Sequence, residues 1–320
     1  MATGRDLHID TPLTNMMVRA FNAAPNFVAG QVFPVVPVAK QSNVYYTLDQ
    51  ASFLQSPTTY RSPKTLARRA DWKVSSDTYF AHNYAFADGN SLEDLDNADN
   101  AIQLRQTSTE FVTQVLLRDF ESRAVTKIQA NVASLSQLTG ANAWDAVNSA
   151  DIISPVRNAK QYIYQNTGIV PNSIVLDWMT YDYATRNTLA WAKLQYTQDT
   201  GQLTMAHLKS LWDVQNVYVS NATQNNAKFG ATGSYTSIWG PTCFVYYRPP
   251  VLPTLKTAAY GAAMRWTPAG LPGPMAVTRQ VFSGAGTQNE EVIEGGYYQD
   301  EKVIASALGF YINTKSGTPW

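Results

Sequence analysis

Cysteine and histidine are nearly absent from this sequence. Cys243 is the only cysteine, so no disulfide can form within the chain, which is typical of a reducing cytoplasm. It lies in an apolar run, TCFVYY, where we expect a small buried hydrophobic residue rather than a nucleophile. The histidines His8, His82 and His207 are far apart in the sequence and form no metal-spaced pair.

Charge is scarce as well, because only 15% of the 320 residues are charged and 24 basic residues balance 24 acidic ones. Zero net charge argues against a protein whose main role is to grip nucleic acid through its phosphates. It also offers little repulsion against self-association. No apolar run reaches the roughly 20 residues that a membrane-spanning helix needs, so we expect no membrane partner.

Motifs that carry enzyme chemistry are missing too. The sequence has no GxSxG elbow, no Walker loop and no GxGxxG after a strand. Asp94, Asp96 and Asp99 lie close together, but the glycine and the final glutamate of a calcium loop are not in place. We therefore expect a structural protein with no enzymatic activity, no catalytic residues, no cofactor and no metal site.

Aromatic residues, by contrast, are abundant, with 18 Tyr, 12 Phe and 8 Trp. They fit an aromatic-rich β core, and Tyr and Trp are also favoured at protein interfaces. The run GQVFPVVPVAK (30–40) is apolar, but Pro34 and Pro37 exclude a central helix. It is predicted to be an extended segment that needs a surface to lie on.

A long hairpin is predicted next. The β-favouring runs SNVYYTLDQASF (42–53) and ADWKVSSDTYFAHNYAF (70–86) flank a polar, basic stretch at 58–72. The hairpin has few apolar clusters of its own, so it is not expected to fold alone.

A long helix follows, since residues from about 98 to 133 contain neither Gly nor Pro. Leu104, Phe111, Val115, Ala124 and Ile128 recur at multiples of three to four, which predicts one buried helix face. Shorter helices and strands come after it without the regular alternation of a doubly wound sheet. The whole pattern predicts an α+β protein.

The order of these parts resembles that of the major capsid proteins of tailed bacteriophages, which share the Hong Kong 97-type capsid fold. The segments that carry the resemblance are FVAGQVFPVVPVAKQSNVYYTLD (27–49), PNSIVLDWMTYDYATRN (171–187), LWDVQNVYVSNATQ (211–224), SIWGPTCFVYY (237–247) and YYQDEKVIASALGFYINT (297–314). The motifs are loose hydrophobic patterns, and their specificity comes from their order over nearly the whole chain.

The resemblance implies a domain organisation. The expected parts are an N-terminal arm (1–36), an E-loop hairpin (37–90), a peripheral domain with a long spine helix (91–140), an axial domain (141–274) and a closing segment of the peripheral domain (275–320). In this family the arm and the E-loop lie across neighbouring subunits. GQVFPVVPVAK is therefore expected to link the arm to the hairpin, and to lie partly on its own spine helix and partly on a neighbour.

The resemblance also implies a function. The chain is expected to self-assemble into pentamers and hexamers that close an icosahedral shell around double-stranded phage DNA. The expected partners are other copies of the chain, a separate scaffolding protein, a portal, packaged DNA contacted non-specifically, and a decoration protein as an optional addition. The expected location is the virion capsid, assembled in the bacterial cytoplasm.

Some features of the family find no match. The long, charged scaffolding segment that begins some members is missing, so either the scaffold is a separate protein or the sequence is already mature. Lys64 and Lys73 lie in the hairpin but match no crosslinking motif, so crosslinks are not predicted and the sequence leaves this chemistry open.

Two alternatives remain open from the sequence. An encapsulin-like nanocompartment would share the fold and enclose a cargo enzyme. A β-rich carbohydrate-binding or tail-fibre module would use the many Trp and Tyr residues and would lack a helix of about 30 residues.

Charge segregation suggests inter-subunit contacts. The hairpin tip carries five basic residues against one acid, Asp71: Arg61, Lys64, Arg68, Arg69 and Lys73. Two acidic stretches carry the opposite charge. The first contains Glu93, Asp94, Asp96 and Asp99, and the second, near the C-terminus, contains Glu290, Glu291, Glu294, Asp300 and Glu301. Each stretch could be a solvated loop. The alternative hypothesis is that the basic tip of one subunit docks on an acidic stretch of its neighbour.

Overall fold

The structure is a computed structural model with mixed helices and sheets. It describes residues 8–9, 26–48, 56, 59–67, 69, 74–97, 101–132, 135–194, 203–228, 231–251, 258–268, 276–283 and 289–315. Within these ranges no helix is long and apolar enough to cross a membrane.

The helices of the described residues are α1 (Ala29–Val32), α2 (Leu92–Asn97), α3 (Ala101–Asn131), α4 (Ser154–Thr167), α5 (Trp178–Thr185), α6 (Thr188–Leu194) and α7 (Met205–Trp212). The predicted spine helix is α3, whose 31 residues contain neither Gly nor Pro. Pro155 stands in the first turn of α4, and Gly168 ends that helix with a left-handed φ of 70°.

The spine helix buries one stripe of side chains. Val112, Leu116, Phe120, Ala124 and Ile128 follow one another every four residues and are all almost fully buried. Burial was predicted for two of them, Ala124 and Ile128, and is confirmed. The stripe packs against the sheet described below and joins α3 to the main core.

Phe111 was predicted to lie in this buried stripe, and that prediction is wrong. Its side chain is 48% exposed. The ring packs edge-on against Phe86, with the ring centroids 5.8 Å apart. The neighbouring Val112 faces the sheet instead, because the position of the sheet rather than the spacing of apolar residues sets the buried direction of the helix.

The strands are β1 (His8–Ile9), β2 (Val35–Val38), β3 (Ser42–Leu48), β4 (Val74–Phe80), β5 (His82–Ser91), β6 (Leu135–Gln137), β7 (Ser173–Asp177), β8 (Asn216–Ser220), β9 (Thr223–Asn225), β10 (Tyr235–Ser237), β11 (Thr242–Tyr246), β12 (Gly261–Trp266), β13 (Ala276–Ser283), β14 (Asn289–Val303) and β15 (Gly309–Asn313). They form two larger sheets and two hairpins, β3–β4 and β9–β10.

The larger sheet has six strands and is built around β14. Strand β5 runs antiparallel along one edge of β14, while β13 and β12 pair with successive parts of the other edge. The GQVFPVVPVAK segment contributes β2, which pairs in parallel with β12 from Val35 to Val38. The apolar segment therefore lies against the edge of this sheet within its own chain.

The second sheet has five strands in the order β6-β15-β11-β7-β8. Its central strands β7, β11 and β15 are buried along their whole length. Cys243 lies in β11 and is fully buried, as predicted, and burial raises the pKa of its thiol. Stacked Trp144 and Trp212, with ring centroids 5.9 Å apart, fill the core beside this sheet.

The predicted domain boundaries cut across both sheets. Strand β12, assigned to the axial segment 141–274, pairs with β14. Strand β15, assigned to the closing segment 275–320, lies in the five-stranded sheet beside β11. Strand β5, assigned to the hairpin, also pairs with β14. Pairing between strands distant in sequence produces this arrangement, and the boundaries themselves stay predictions.

Candidate inter-subunit surfaces

The hairpin formed by β3 and β4 has an inner face that anchors it. Tyr45 and Tyr79 are buried against Met264 of β12. The Tyr45 hydroxyl donates to Asp77 at 2.7 Å, and the Tyr79 hydroxyl donates to the Lys40 carbonyl at 3.1 Å. Burial, together with the Asp77 carboxylate, raises the pKa of Tyr45. The base of the hairpin is therefore fixed to the six-stranded sheet.

The opposite face of the hairpin is apolar and exposed. Val44, Tyr46 and Phe80 point away from the sheet, and their side chains are 48%, 64% and 48% exposed. The strand register places Val44 opposite Thr78 and Phe80 opposite Ser42, so the three side chains share one face. We call Val44, Tyr46 and Phe80 the outer face of the hairpin.

The described part of the hairpin tip is a turn with its charges outside. Arg61, Lys64 and Arg69 are all exposed. Arg61 donates to the Thr65 carbonyl, and the Thr65 hydroxyl donates to the Ser62 carbonyl at 2.7 Å. Lys64 has a left-handed φ of 67°. Arg68 and Lys73, also predicted as contact residues, lie outside the described residues.

The exposed acids of the two acidic stretches come together at one end of the six-stranded sheet. Glu93 and Asp96 are exposed on α2, which starts directly after Ser91. Glu290 is also exposed, and it lies opposite Ser91 in the pairing of β5 with β14. We call Glu93, Asp96 and Glu290 the acidic edge. The side chain of Asp94 and the whole of Asp99 lie outside the described residues.

Glu291 has a partner within its own chain. Its side chain is fully buried, and the Arg105 guanidinium donates to both carboxylate oxygens, with Nε–Oε1 and Nη2–Oε2 distances of 3.0 Å. The pleat of β14 turns Glu290 outward and Glu291 inward. Reading the stretch only as a run of acids missed this alternation.

Further along β14 the acids also serve the fold. The Arg123 guanidinium lies 3.5 Å above the ring of Tyr84 and bonds Glu301 at 3.0 Å and the Tyr297 hydroxyl at 3.1 Å. Asp300 accepts the backbone N–H of Phe80 at 3.0 Å. Glu294 is half-buried. Glu301 thus binds the spine helix to the sheet, and Asp300 binds the hairpin to it, which the sequence alone did not indicate.

The basic tip and the acidic edge lie at opposite ends of one extended segment. Strands β4 and β5 are separated only by Ala81, and the segment runs from Val74, beside the tip, to Ser91, beside the acidic edge. At about 3.3 Å per residue this segment spans as much as roughly 56 Å. Contact between the tip and the acidic edge of another subunit stays a prediction.

Metal chemistry finds no support in the described part of the chain. His, Cys, Asp and Glu side chains nowhere gather there in groups of three or more that could hold a metal ion.

Comparison with known proteins finds a relative that aligns with nearly the whole chain. The major capsid protein of Pseudomonas phage JBD67 is 25% identical over 312 residues, which cover 95% of this chain and 96% of that protein. No protein-family model matches the sequence.

Solved structures with the same fold extend the comparison. A phage-related protein from Bordetella bronchiseptica RB50 superposes with a TM-score of 0.72 at 19% identity, covering 96% of this chain and 97% of that chain. The capsid structure of cyanophage P-SCSP1u matches with a TM-score of 0.58 at 10% identity, covering 89% of this chain and 87% of that chain.

The class of protein follows from these comparisons: the fold is the α+β Hong Kong 97-type capsid fold, as predicted. The predicted resemblance to tailed-phage major capsid proteins is confirmed, and so is the predicted function as a structural major capsid protein located in the virion capsid. The comparisons do not favour the encapsulin-like alternative. The alternative of a β-rich carbohydrate-binding or tail-fibre module is wrong, because that alternative predicted no helix of about 30 residues and α3 has 31.

Proposed function

We propose that this chain assembles with copies of itself into pentamers and hexamers, and that these close an icosahedral shell around double-stranded phage DNA. The observation that carries the proposal is the end-to-end similarity to a phage major capsid protein, over 95% of this chain, combined with the capsid fold. The chain acts through its surfaces and does not catalyse a reaction.

The hairpin is the element that reaches a neighbouring subunit. Its inner face is held by Tyr45 and Tyr79, while its outer face presents three large apolar side chains to solvent. A two-stranded hairpin is only marginally stable by itself, and a second covered face would stabilise it. A neighbouring subunit that covers Val44, Tyr46 and Phe80 buries this apolar area.

Charge sets the register of this contact. The basic tip with Arg61, Lys64 and Arg69 docks on the acidic edge of the next subunit, with Glu93, Asp96 and Glu290. A single exposed ion pair contributes only about 0–1 kcal/mol, so one pair decides little. Several pairs per contact, repeated around a closed shell, guide assembly and let misplaced subunits leave.

Further partners belong to the same proposal. A separate scaffolding protein directs the curvature of the shell, and a portal occupies one vertex. The packaged DNA is contacted non-specifically, in keeping with the zero net charge of the chain. A decoration protein is an optional partner on the outside, and assembly takes place in the cytoplasm of the bacterial host.

Negative-stain microscopy and sedimentation of the purified protein test the proposal. We expect rings or closed shells, and species much heavier than the 35.3 kDa chain. Co-expression with the scaffolding protein of the same phage should make the particles uniform in size. A compact, protease-resistant monomer at every concentration, with and without that protein, would rule the proposal out.

A further inference from the structure

One buried carboxylate on the spine helix bonds three other parts of the molecule. Glu121 lies on the spine helix and is fully buried. Its Oε1 accepts the backbone N–H of Val28 at 3.0 Å, and its Oε2 accepts the N–H of Ala29 at 2.8 Å. Val28 is the N-cap of α1 and Ala29 is its first residue; α1 precedes strand β2.

The same carboxylate binds the end of the five-stranded sheet. The Trp239 indole N–H donates to Oε1, and the Ser220 hydroxyl lies 3.4 Å from the same oxygen. Ser220 ends β8, and Trp239 lies in the connection between β10 and β11. Glu121 thus connects the spine helix to a sheet strand, a loop and the start of α1.

Neighbouring contacts hold the same segment. The backbone N–H of Asn221 donates to the Asn26 carbonyl at 3.1 Å, and the Ser220 hydroxyl lies 3.4 Å from that carbonyl. The Tyr246 hydroxyl donates to the Gln31 carbonyl at 3.1 Å. We call residues 26–33 the arm root, since the predicted N-terminal arm meets the folded core here.

Among the described residues, the hydrogen-bond donors to Glu121 are all neutral. Helix α1 and the Ile238–Pro241 connection carry no titratable side chain. On β8, the Tyr218 hydroxyl accepts from Arg248, and next to Glu121 on the spine helix, Arg118 and Arg123 bond Gln114 and Glu301. A carboxylate that is buried without a cation is costly to keep charged. Burial accordingly raises the pKa of Glu121, although the hydrogen bonds from Trp239, Val28, Ala29 and Ser220 oppose this.

We propose that Glu121 is a proton-sensitive latch that positions the arm root between the spine helix and the five-stranded sheet. When the latch opens, Glu121 gains access to water and regains the ordinary affinity of a glutamate for protons. Protons therefore favour the closed latch. Its stabilisation is complete below the ordinary glutamate pKa and is lost as the pH rises through the raised pKa.

Ser220 allows the Glu121 carboxyl group to keep its hydrogen bonds when it is protonated. The two backbone N–H groups and the indole N–H can only donate. The Ser220 hydroxyl can reverse its role: its oxygen accepts a hydrogen bond from the protonated carboxyl group, and its O–H donates to the Asn26 carbonyl. The hydroxyl thereby transmits the protonation of Glu121 to the arm root. This inference goes beyond shell assembly and does not depend on it.

Hydrogen exchange of peptides covering residues 26–33 tests the latch directly, because the amides of Val28 and Ala29 bond Glu121. The full chain is labelled at pH 5.5 and pH 8, with labelling times scaled for the pH dependence of chemical exchange. We expect severalfold lower protection at pH 8 in the wild type and little pH dependence in Glu121→Gln. In Ser220→Ala, protection at pH 5.5 should fall towards the value at pH 8.

Asp177→Asn is the matched control. Asp177 is also buried and has a raised pKa. It accepts from Met179 and from Ser237 and pairs with Ser220 between β7 and β8, but no described hydrogen bond joins it to the arm root. It is therefore a second carboxylate beside the latch, and its titration has to be excluded as the source of the pH dependence. This variant should keep the wild-type pH dependence at residues 26–33. Wild-type protection that is equal at both pH values, or a Glu121→Gln variant as pH-sensitive as the wild type, would overturn the proposal. If Glu121→Gln does not fold, the wild type and Ser220→Ala decide.

Discussion

Single residues of the spine helix show how burial, rather than residue type, determines stability. Phe120 is 3% exposed in the buried stripe, whereas Phe111 is 48% exposed and touches Phe86. Phe120→Ala should lower the free energy of unfolding by about 3–5 kcal/mol, because it leaves a cavity. Phe111→Ala should lower it by only about 1 kcal/mol, the size of one aromatic contact. Urea unfolding of the unassembled protein measures both, and equal losses would contradict the assigned helix face.

Arg105 offers a second prediction at the residue scale. Replacing it by Leu removes the guanidinium that pairs with the buried Glu291 carboxylate. Breaking a buried ion pair in this way should destabilise the chain by about 3 kcal/mol. Arg118→Leu on the same helix is the control, since Arg118 bonds only the neutral Gln114 among its described partners and should change stability by less than about 0.5 kcal/mol. If Arg105→Leu does not lower the free energy of unfolding, the Glu291 carboxylate does not need the Arg105 charge.

Among the elements, the β3–β4 hairpin allows a test of the proposed assembly, because one of its faces is buried and the other is exposed. Tyr46 lies on the exposed outer face and Tyr45, its neighbour, on the buried inner face. Tyr46→Ser should leave the unfolding free energy within about 0.5 kcal/mol of the wild type. It should slow shell formation, measured by light scattering, because the apolar contact with the next subunit is lost.

Tyr45→Ser is the matched variant on the other face. It removes the packing on Met264 and the hydrogen bond to Asp77, so the hairpin should be cleaved faster by protease in the unassembled protein. If Tyr46→Ser assembles at the wild-type rate, the outer face is not an inter-subunit surface.

For the whole molecule, the separation of the basic tip from the acidic edge predicts a salt-dependent assembly. Reversing Arg61 and Arg69 to Glu should leave the fold intact and slow or block shell formation. The effect should be larger at low salt, where repulsion between the reversed tip and the acidic edge is least screened. Sedimentation at low and at high salt measures it.

A control and a rescue make this test specific. Arg157→Glu changes an exposed charge on α4, away from the hairpin, and should assemble normally. Adding Glu93→Lys and Glu290→Lys to the reversed tip should restore assembly, since the charges are then exchanged rather than removed. Normal particles from the reversed tip at low salt would show that the charges only keep the tip solvated.

Much of the local structure could be predicted from the sequence, because it depends on neighbours along the chain. The lack of Gly and Pro predicted the spine helix, which has 31 residues. The apolar run around Cys243 predicted a buried strand, and the order of such parts was enough to recognise the capsid fold.

Only the tertiary structure decided which side chains face each other. Phe111 and Val112 are adjacent and equally apolar, yet the sheet covers only Val112. Glu290 and Glu291 are adjacent and equally acidic, yet the pairing of β14 turns one to solvent and one to Arg105. Glu121 meets Val28 across 93 positions of sequence. Such contacts depend on where distant strands and helices pack, and local propensity carries no information about that.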